Sequence, residues 1–177
     1  MSVHRRRAPP VCLVLLAGGL LLPAAGVLAA PPAVNASGIG AARIGMTVAE
    51  ARAALGVPLR PLRDAAPAAA GCGFLYPDGL PGRYALLVVD GIIARVDVRS
   101  RRVRTDSGLG VTSTELAVRN RYGDDIETRP HEHIPEGRYL EVPLPEGLRL
   151  VFESNGEIVL GFRLGRLPEV RDRAPCD

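Results

Sequence analysis

Gly45-Met46-Thr47-Val48-Ala49-Glu50 and Gly110-Val111-Thr112-Ser113-Thr114-Glu115 both carry glycine first, threonine third and glutamate sixth, 65 residues apart. Thr-x-x-Glu is a capping box. Its hydroxyl accepts from a free amide in the first helical turn, and its carboxylate accepts from the amide of the cap residue. Thr47 with Glu50 and Thr112 with Glu115 therefore predict two helix starts. The helices extend over 48–55 and 113–122, and each runs into a glycine, Gly56 or Gly123, suited to a left-handed stop. Val48, Ala51 and Leu55 share one face of the first; Leu116, Val118 and Tyr122 offer a similar stripe on the second.

A second pair of landmarks keeps the spacing. Asp90-Gly91 and Asn155-Gly156 are also 65 residues apart, and both dipeptides favour tight hairpins whose two central residues need positive φ. They predict one hairpin of 84–90 with 92–99 and another of 148–154 with 157–164. An earlier strand precedes each, near 73–76 and 138–142. In the first return strand Ala94, Val96 and Val98 alternate with Arg95, Asp97 and Arg99, which reads as one buried and one wet face. The fold class expected is α+β: two tandem helix-plus-antiparallel-hairpin units, with the helices packed on one side of an antiparallel sheet. The units span 39–104 and 105–167, after a flexible lead at 30–38 and before a C-terminal tail at 168–177.

Residues 1–29 read as a cleaved secretory signal peptide. Arg5, Arg6 and Arg7 precede the apolar run 11–22, and Val27-Leu28-Ala29 supplies the cleavage site after Ala29. Gly18, Gly19 and Pro23 interrupt the run, which argues against a transmembrane anchor. All 22 basic residues of the 177-residue chain are arginine, against 19 acidic residues. Removing residues 1–29 takes three arginines and no acid, so the remainder is formally neutral. That balance argues against a nucleic-acid partner. Arg99, Arg101, Arg102 and Arg104 form a local basic run, read as a solvated strand end or as a peripheral contact to an anionic surface. Cys12 leaves with the signal, and Cys72 and Cys176 remain as an even pair for a structural disulfide in an oxidising compartment.

The stretch Gly45-Met46-Thr47-Val48-Ala49-Glu50-Ala51, closing at Leu55-Gly56, resembles the opening helix of the small outer-membrane-assembly lipoproteins of the BamE/SmpA type. Tandem copies of such a unit look like the β-lactamase-inhibitor-protein fold. The whole chain after the signal is similar to a set of uncharacterised proteobacterial secreted proteins. These share the Gly-Met-Thr helix, a cysteine before an aromatic strand, an Asp-Gly hairpin and a late cysteine, here Cys72-Gly73-Phe74-Leu75-Tyr76, Asp90-Gly91 and Cys176. The resemblance implies tandem α+β repeats in an exported protein and brings no activity with it. This chain lacks the lipobox of the assembly lipoproteins, and nothing in it matches the contact residues of the inhibitor.

Chemistry-bearing clusters are sparse. His131 and His133 fall on one side of an extended stretch and are candidate metal ligands, with Glu136 or Asp124-Asp125 as a third. Pro130 and Pro135 bracket them, which favours plain loop histidines. Ser107, Ser113 and Ser154 sit in no nucleophile elbow. The glycine-rich 105–110 segment lacks the lysine of a phosphate loop and reads as the turn into a helix. No cofactor is expected. The function expected is an exported, periplasmic or secreted, non-enzymatic binding or assembly module for an envelope protein. The alternative is a small metal-dependent or hydrolytic envelope enzyme using His131 and His133.

Overall fold

The computed structural model describes residues 32–61, 71–79, 84–173 and 175–176. The signal peptide expected at 1–29 lies outside the described residues. Two short strands, β1 (Gly38–Ile39) and β2 (Ala42–Arg43), lead into helix α1 (Val48–Leu55). Strands β3 (Leu59–Arg60), β4 (Cys72–Pro77), β5 (Tyr84–Val89) and β6 (Ile92–Val98) follow. Helix α2 (Glu115–Tyr122) then precedes β7 (Glu127–Pro130), β8 (Arg138–Pro143), β9 (Arg149–Ser154) and β10 (Val159–Gly165).

These strands overturn the expectation of two helix-plus-hairpin units. β3 to β10 form one eight-stranded antiparallel sheet in the order β3-β4-β5-β6-β10-β9-β8-β7, and strand far outweighs the two eight-residue helices. The sheet joins at β6 and β10, where Val98 faces Phe162 and Val96 faces Leu164. Burial gives the reason. Edge-to-edge joining removes two open strand edges and makes one continuous core. That core takes Leu86, Val96, Val98, Leu140, Leu150, Phe152, Phe162 and Leu164 from the sheet, Ala51 from α1 and Val118 from α2.

Both helices dock through the same backbone pattern. The Gly45 amide donates to the Ile93 carbonyl, the Ile93 amide to Met46 and the Val48 amide to Gly91, at 2.8, 2.8 and 3.1 Å. On the other side the Thr112 amide donates to Val159, the Val159 amide to Ser113 and the Glu115 amide to Glu157, at 2.9, 2.9 and 2.8 Å. Gly45 thus corresponds to Thr112, not to Gly110, and both have positive φ, 89° and 73°. The capping box expected from Thr112 and Glu115 is corrected accordingly. Thr47 and Glu50 form a reciprocal box. On α2 the cap is Thr114, whose hydroxyl accepts from the Ala117 amide at 3.1 Å, and Glu115 is the first helical residue. The matched hexapeptides were two residues out of structural register. We expect Thr114→Ala to cost about 1 kcal/mol. Thr112→Gly should be neutral or stabilising, because it removes a threonine from the left-handed region. Urea unfolding of the two variants checks both; a larger loss for Thr112→Gly would contradict this assignment.

Two further corrections concern turns and ends. Asp90 and Gly91 have φ of 51° and 78°, as a two-residue hairpin requires. Asn155 does not have positive φ; its side chain accepts from the amides of Glu157 and Ile158, making a longer loop in which Gly156 alone has positive φ, 100°. The expected flexible lead, in its described part 32–38, is built into the fold. Val34 is buried, its amide donates to Arg104, and its carbonyl accepts from Asp106. Asn35 closes the turn by accepting from the Ser37 and Gly38 amides.

Candidate functional site: the second face of the sheet

The face of the sheet turned away from the α1/α2 core is where the charged side chains collect. Register sets the rows. Ala85, Asp97, Arg163, Val151, Glu141 and Glu127 are successive cross-strand partners from β5 to β7. Arg95 lies one step along β6, facing Leu87 of β5, which in turn faces Phe74 of β4. Alternation in β6 predicted Arg95, Asp97 and Arg99 as a wet face; the structure buries Arg95, half-buries Asp97 and leaves Arg99 exposed. Arg95 is only 2% exposed, and Glu141 is fully enclosed.

The cover is the C-terminal tail, residues 166–173 and 175–176, which straps this face. The Arg95 guanidinium bonds Asp97 at 2.6 Å and donates to the backbone carbonyls of Glu169 and Asp172. Arg163 also donates to the Asp172 carbonyl, at 3.3 Å. Val170 packs against Tyr139 and Val151. Arg171 reaches Glu141 at 2.7 Å and Glu127 at 3.3 Å, while Arg129 closes the other side of Glu141. A buried carboxylate between two guanidiniums is tolerable because its oxygens are taken up by charge-assisted hydrogen bonds. The Cys72–Cys176 disulfide then ties the end of the strap to β4, across 104 residues of sequence.

Tyr139 is the centre of the far half of this face. His131 stacks on it at 4.9 Å between centroids, the guanidiniums of Arg129 and Arg163 lie 5.0 and 5.6 Å from its ring centre, and Arg173 reaches its hydroxyl at 3.4 Å. His131 is buried with both nitrogens engaged. Nδ1 accepts from the His133 and Ile134 amides at 3.0 and 3.2 Å, so Nε2 carries the proton shared with Glu153 at 3.3 Å. Gly137 makes this loop possible, since a Cβ there would come within 2.8 Å of the Cβ atoms of His131 and Ile134. His133 lies edge-on to His131, 6.2 Å between ring centroids, and is 73% exposed. The two histidines do not converge as ligands: one is a loop anchor and the other a surface residue. Among the described residues no three His, Cys, Asp or Glu side chains group as a metal site.

Other sequence candidates are placed as structural groups. Ser154 donates to Glu115 at 3.0 Å, Ser113 accepts from the Gly110 amide, and Ser107 bonds Thr105 and Tyr122. Asp124 and Asp125 are exposed in the turn after α2. The basic run splits: Val103 is buried in the core, Arg101 and Arg102 are exposed, Arg99 pairs with Glu153, and Arg104 folds back onto Gly108 and Ser113.

Electrostatics follow from enclosure and partners. Burial pushes the Asp97 carboxyl above its ordinary value, against the pull of Arg95, Arg163 and Arg99. Burial also lowers Arg163, with Arg95 adding to it and Asp97 and Glu153 opposing. Burial works to raise Glu153, but Arg99, the His131 hydrogen bond, Arg163 and Arg173 together hold it below the ordinary carboxylate value. Glu115, under α2, behaves likewise: burial is outweighed by its bonds to Arg119 and Ser154 and by the charges of Arg119 and Arg138. For Glu115 the folded value lies below the unfolded one. Its contribution is therefore complete above the unfolded carboxylate range and is lost as pH falls through the folded value. We expect the Glu115 contribution to be lost as pH falls below about 4.5 in wild type, and Glu115→Gln to flatten part of that acid limb in paired urea titrations.

The strap leaves part of this face uncovered. There an open pocket of about 310 Å³ is lined by Phe74, Tyr76, Ala85, Asp97, Arg99 and Arg173, with Tyr84 and Arg95 also touching it. Ala85 is the small residue between Tyr76 and Asp97 that gives the pocket depth. Sequence reading placed Phe74 and Tyr76 only in an expected aromatic strand after Cys72. It did not find Arg173 or the enclosure of Arg95, because both depend on where the tail lies.

Comparison with known proteins adds little to this geometry. No family model matches the chain, and no curated protein matches it. Among solved structures the chain is similar to the crystal structure of the uncharacterized protein yfeY from Escherichia coli. The identity is 14% and the TM-score 0.49, over 75% of this chain and 99% of that one.

Proposed function

We propose that this chain is an exported, non-enzymatic binding module for a protein of the cell envelope. The docking site is the part of the second face that the strap leaves open. The observation that carries the reading is the pocket itself. Phe74, Tyr76, Arg99 and Arg173 sit at an accessible surface, and Tyr and Arg are the residue types that dominate binding hot spots. The side chains behind them are held by the strap contacts, so the surface is organised before a partner arrives. The Cys72–Cys176 disulfide supports export, since such bonds persist in oxidising compartments. Among the described residues no helix is long and apolar enough to cross a membrane.

The test is in-cell crosslinking of the expressed full chain, with the captured protein identified and the capture repeated in an Arg99→Glu, Arg173→Glu variant. We expect one reproducible envelope protein whose capture fails in the double variant. Capture that is unaffected by the double variant contradicts this site.

A further inference from the structure

We propose that the pocket beside the strap takes an acidic side chain adjacent to an apolar or aromatic one, presented by a segment of the partner protein. This rests on the binding-module reading and adds the chemistry of the occupant. Four guanidiniums, those of Arg95, Arg99, Arg163 and Arg173, surround the pocket and the small cavity that adjoins it through Asp97 and Arg99. Among the described residues two carboxylates, Asp97 and Glu153, line the same space. The excess is therefore positive.

Arg163 makes that excess concrete. It is buried, and its Nε and Nη2 have no hydrogen-bond partner among the described residues. Its Nη1 is spent on the Asp172 carbonyl, which is uncharged. Asp97, its cross-strand neighbour, and Glu153 offset this charge only through space, because among the described residues neither is hydrogen-bonded to it. At the rim, Arg99 is 64% exposed although its partner Glu153 is buried, so its guanidinium can turn toward an incoming anion. Arg173 is also accessible, and its nearest carboxylate, Glu132, is 4.0 Å away and itself exposed.

The rest of the lining selects for a non-polar neighbour. Phe74 and Tyr76 form one wall and Ala85 the floor, where no large side chain competes for the volume. About 310 Å³ is enough for an aromatic side chain with a carboxylate beside it. Guanidinium forks bind carboxylates in a planar, two-point manner that an amide cannot reproduce. Charge supplies discrimination, and the aromatic wall supplies buried area.

The experiment uses the disulfide-intact protein purified from cells expressing the full chain, and two capped tetrapeptides, acetyl-Gly-Asp-Phe-Gly-amide and its Asn counterpart. Binding is followed by chemical shifts of the Ala85, Asp97 and Arg99 backbone amides. The proposal expects saturable shifts at these residues with the Asp peptide at ~1 mM and about tenfold weaker binding of the Asn peptide. Ala85→Leu, which fills the floor, should abolish the shifts while keeping a wild-type amide spectrum elsewhere. Should that variant fail to fold, Arg99→Glu provides the same test from the rim. Equal binding of the two peptides, or no saturable shift at these residues, overturns the proposal. N-acetylphenylalanine binding more tightly than the Asp peptide would also overturn it, by pointing to a free small carboxylate. The outcomes separate the two readings. A partner captured in cells without peptide binding removes the acidic anchor and keeps the module; peptide binding without a partner does the reverse.

Discussion

Cys176→Ser, or reduction of the Cys72–Cys176 disulfide, should lower the unfolding free energy by about 4–5 kcal/mol, the chain-entropy value for a closed loop of this length. The loop spans 104 residues, so the crosslink constrains most of the folded chain in the unfolded state. A second consequence is local. The strap is held by carbonyls facing Arg95, by Arg171 on Glu141 and by Val170 in its apolar seat, but its end is held by the disulfide. Without it the last residues fray first, and Arg173 leaves the pocket. The midpoint of thermal unfolding should fall by roughly 10 °C or more for a domain of this size. Urea curves with and without reductant measure the same quantity. Superimposable curves would show that the strap is held without the crosslink.

Arg95→Ala should be the most damaging single charge removal, at about 3–5 kcal/mol, the cost of breaking a buried pair and leaving its partner alone. The Asp97 carboxylate and the Glu169 carbonyl lose the Arg95 donor at once, and the Asp172 carbonyl is left with Arg163 alone. Asp97 is already pushed up by burial, and without Arg95 its folded value rises further. A folded value above the unfolded one favours the protonated, folded form. The deficit of Arg95→Ala is therefore largest at neutral and alkaline pH and shrinks as pH falls. The double variant Arg95→Ala, Asp97→Asn should recover part of the loss at pH 8 and little at pH 4. Urea unfolding of the four members of this cycle at the two pH values checks it. A deficit independent of pH would mean that Arg95 acts through packing alone.

Local signals were legible in the sequence to the extent that they act locally. The first helix, its Thr47–Glu50 cap and the Asp90-Gly91 turn depend on neighbours a few residues away, and the residues in question could satisfy nothing else. The second half misled for a physical reason. Ser113 and Thr114 are both good caps, and the Gly-x-Thr-x-x-Glu match selected Thr112 instead. Backbone pairing with β10, which no local pattern contains, places the cap on Thr114. That same pairing releases Glu115 from capping and puts it under the helix against Ser154 and Arg138.

The candidate site was less legible than the fold. Arg95, Glu141 and Arg163 each occur singly between apolar residues in a strand, and Glu153 follows Phe152, a pattern that ordinarily marks a solvated face. They are buried because the tail returns across 70 or more residues to Arg95, with separations of 74 and 77 for its two carbonyl contacts. Alternation reports that a face differs from its opposite, not what covers it. His131 shows the same limit. Its spacing to His133 suggested a shared ligand, whereas the two amides that converge on its Nδ1 are a property of the folded loop held by Gly137.

The account stands most directly on the open pocket being where a partner docks. A photo-crosslinking residue placed at Tyr76, beside the pocket, and separately at Leu116, an exposed position on α2 across the core, tests this in cells expressing the full chain. The account predicts one envelope protein captured from Tyr76, lost when Arg99 and Arg173 are reversed in charge, and not captured from Leu116. Capture of the same protein from Leu116 but not from Tyr76 would contradict it.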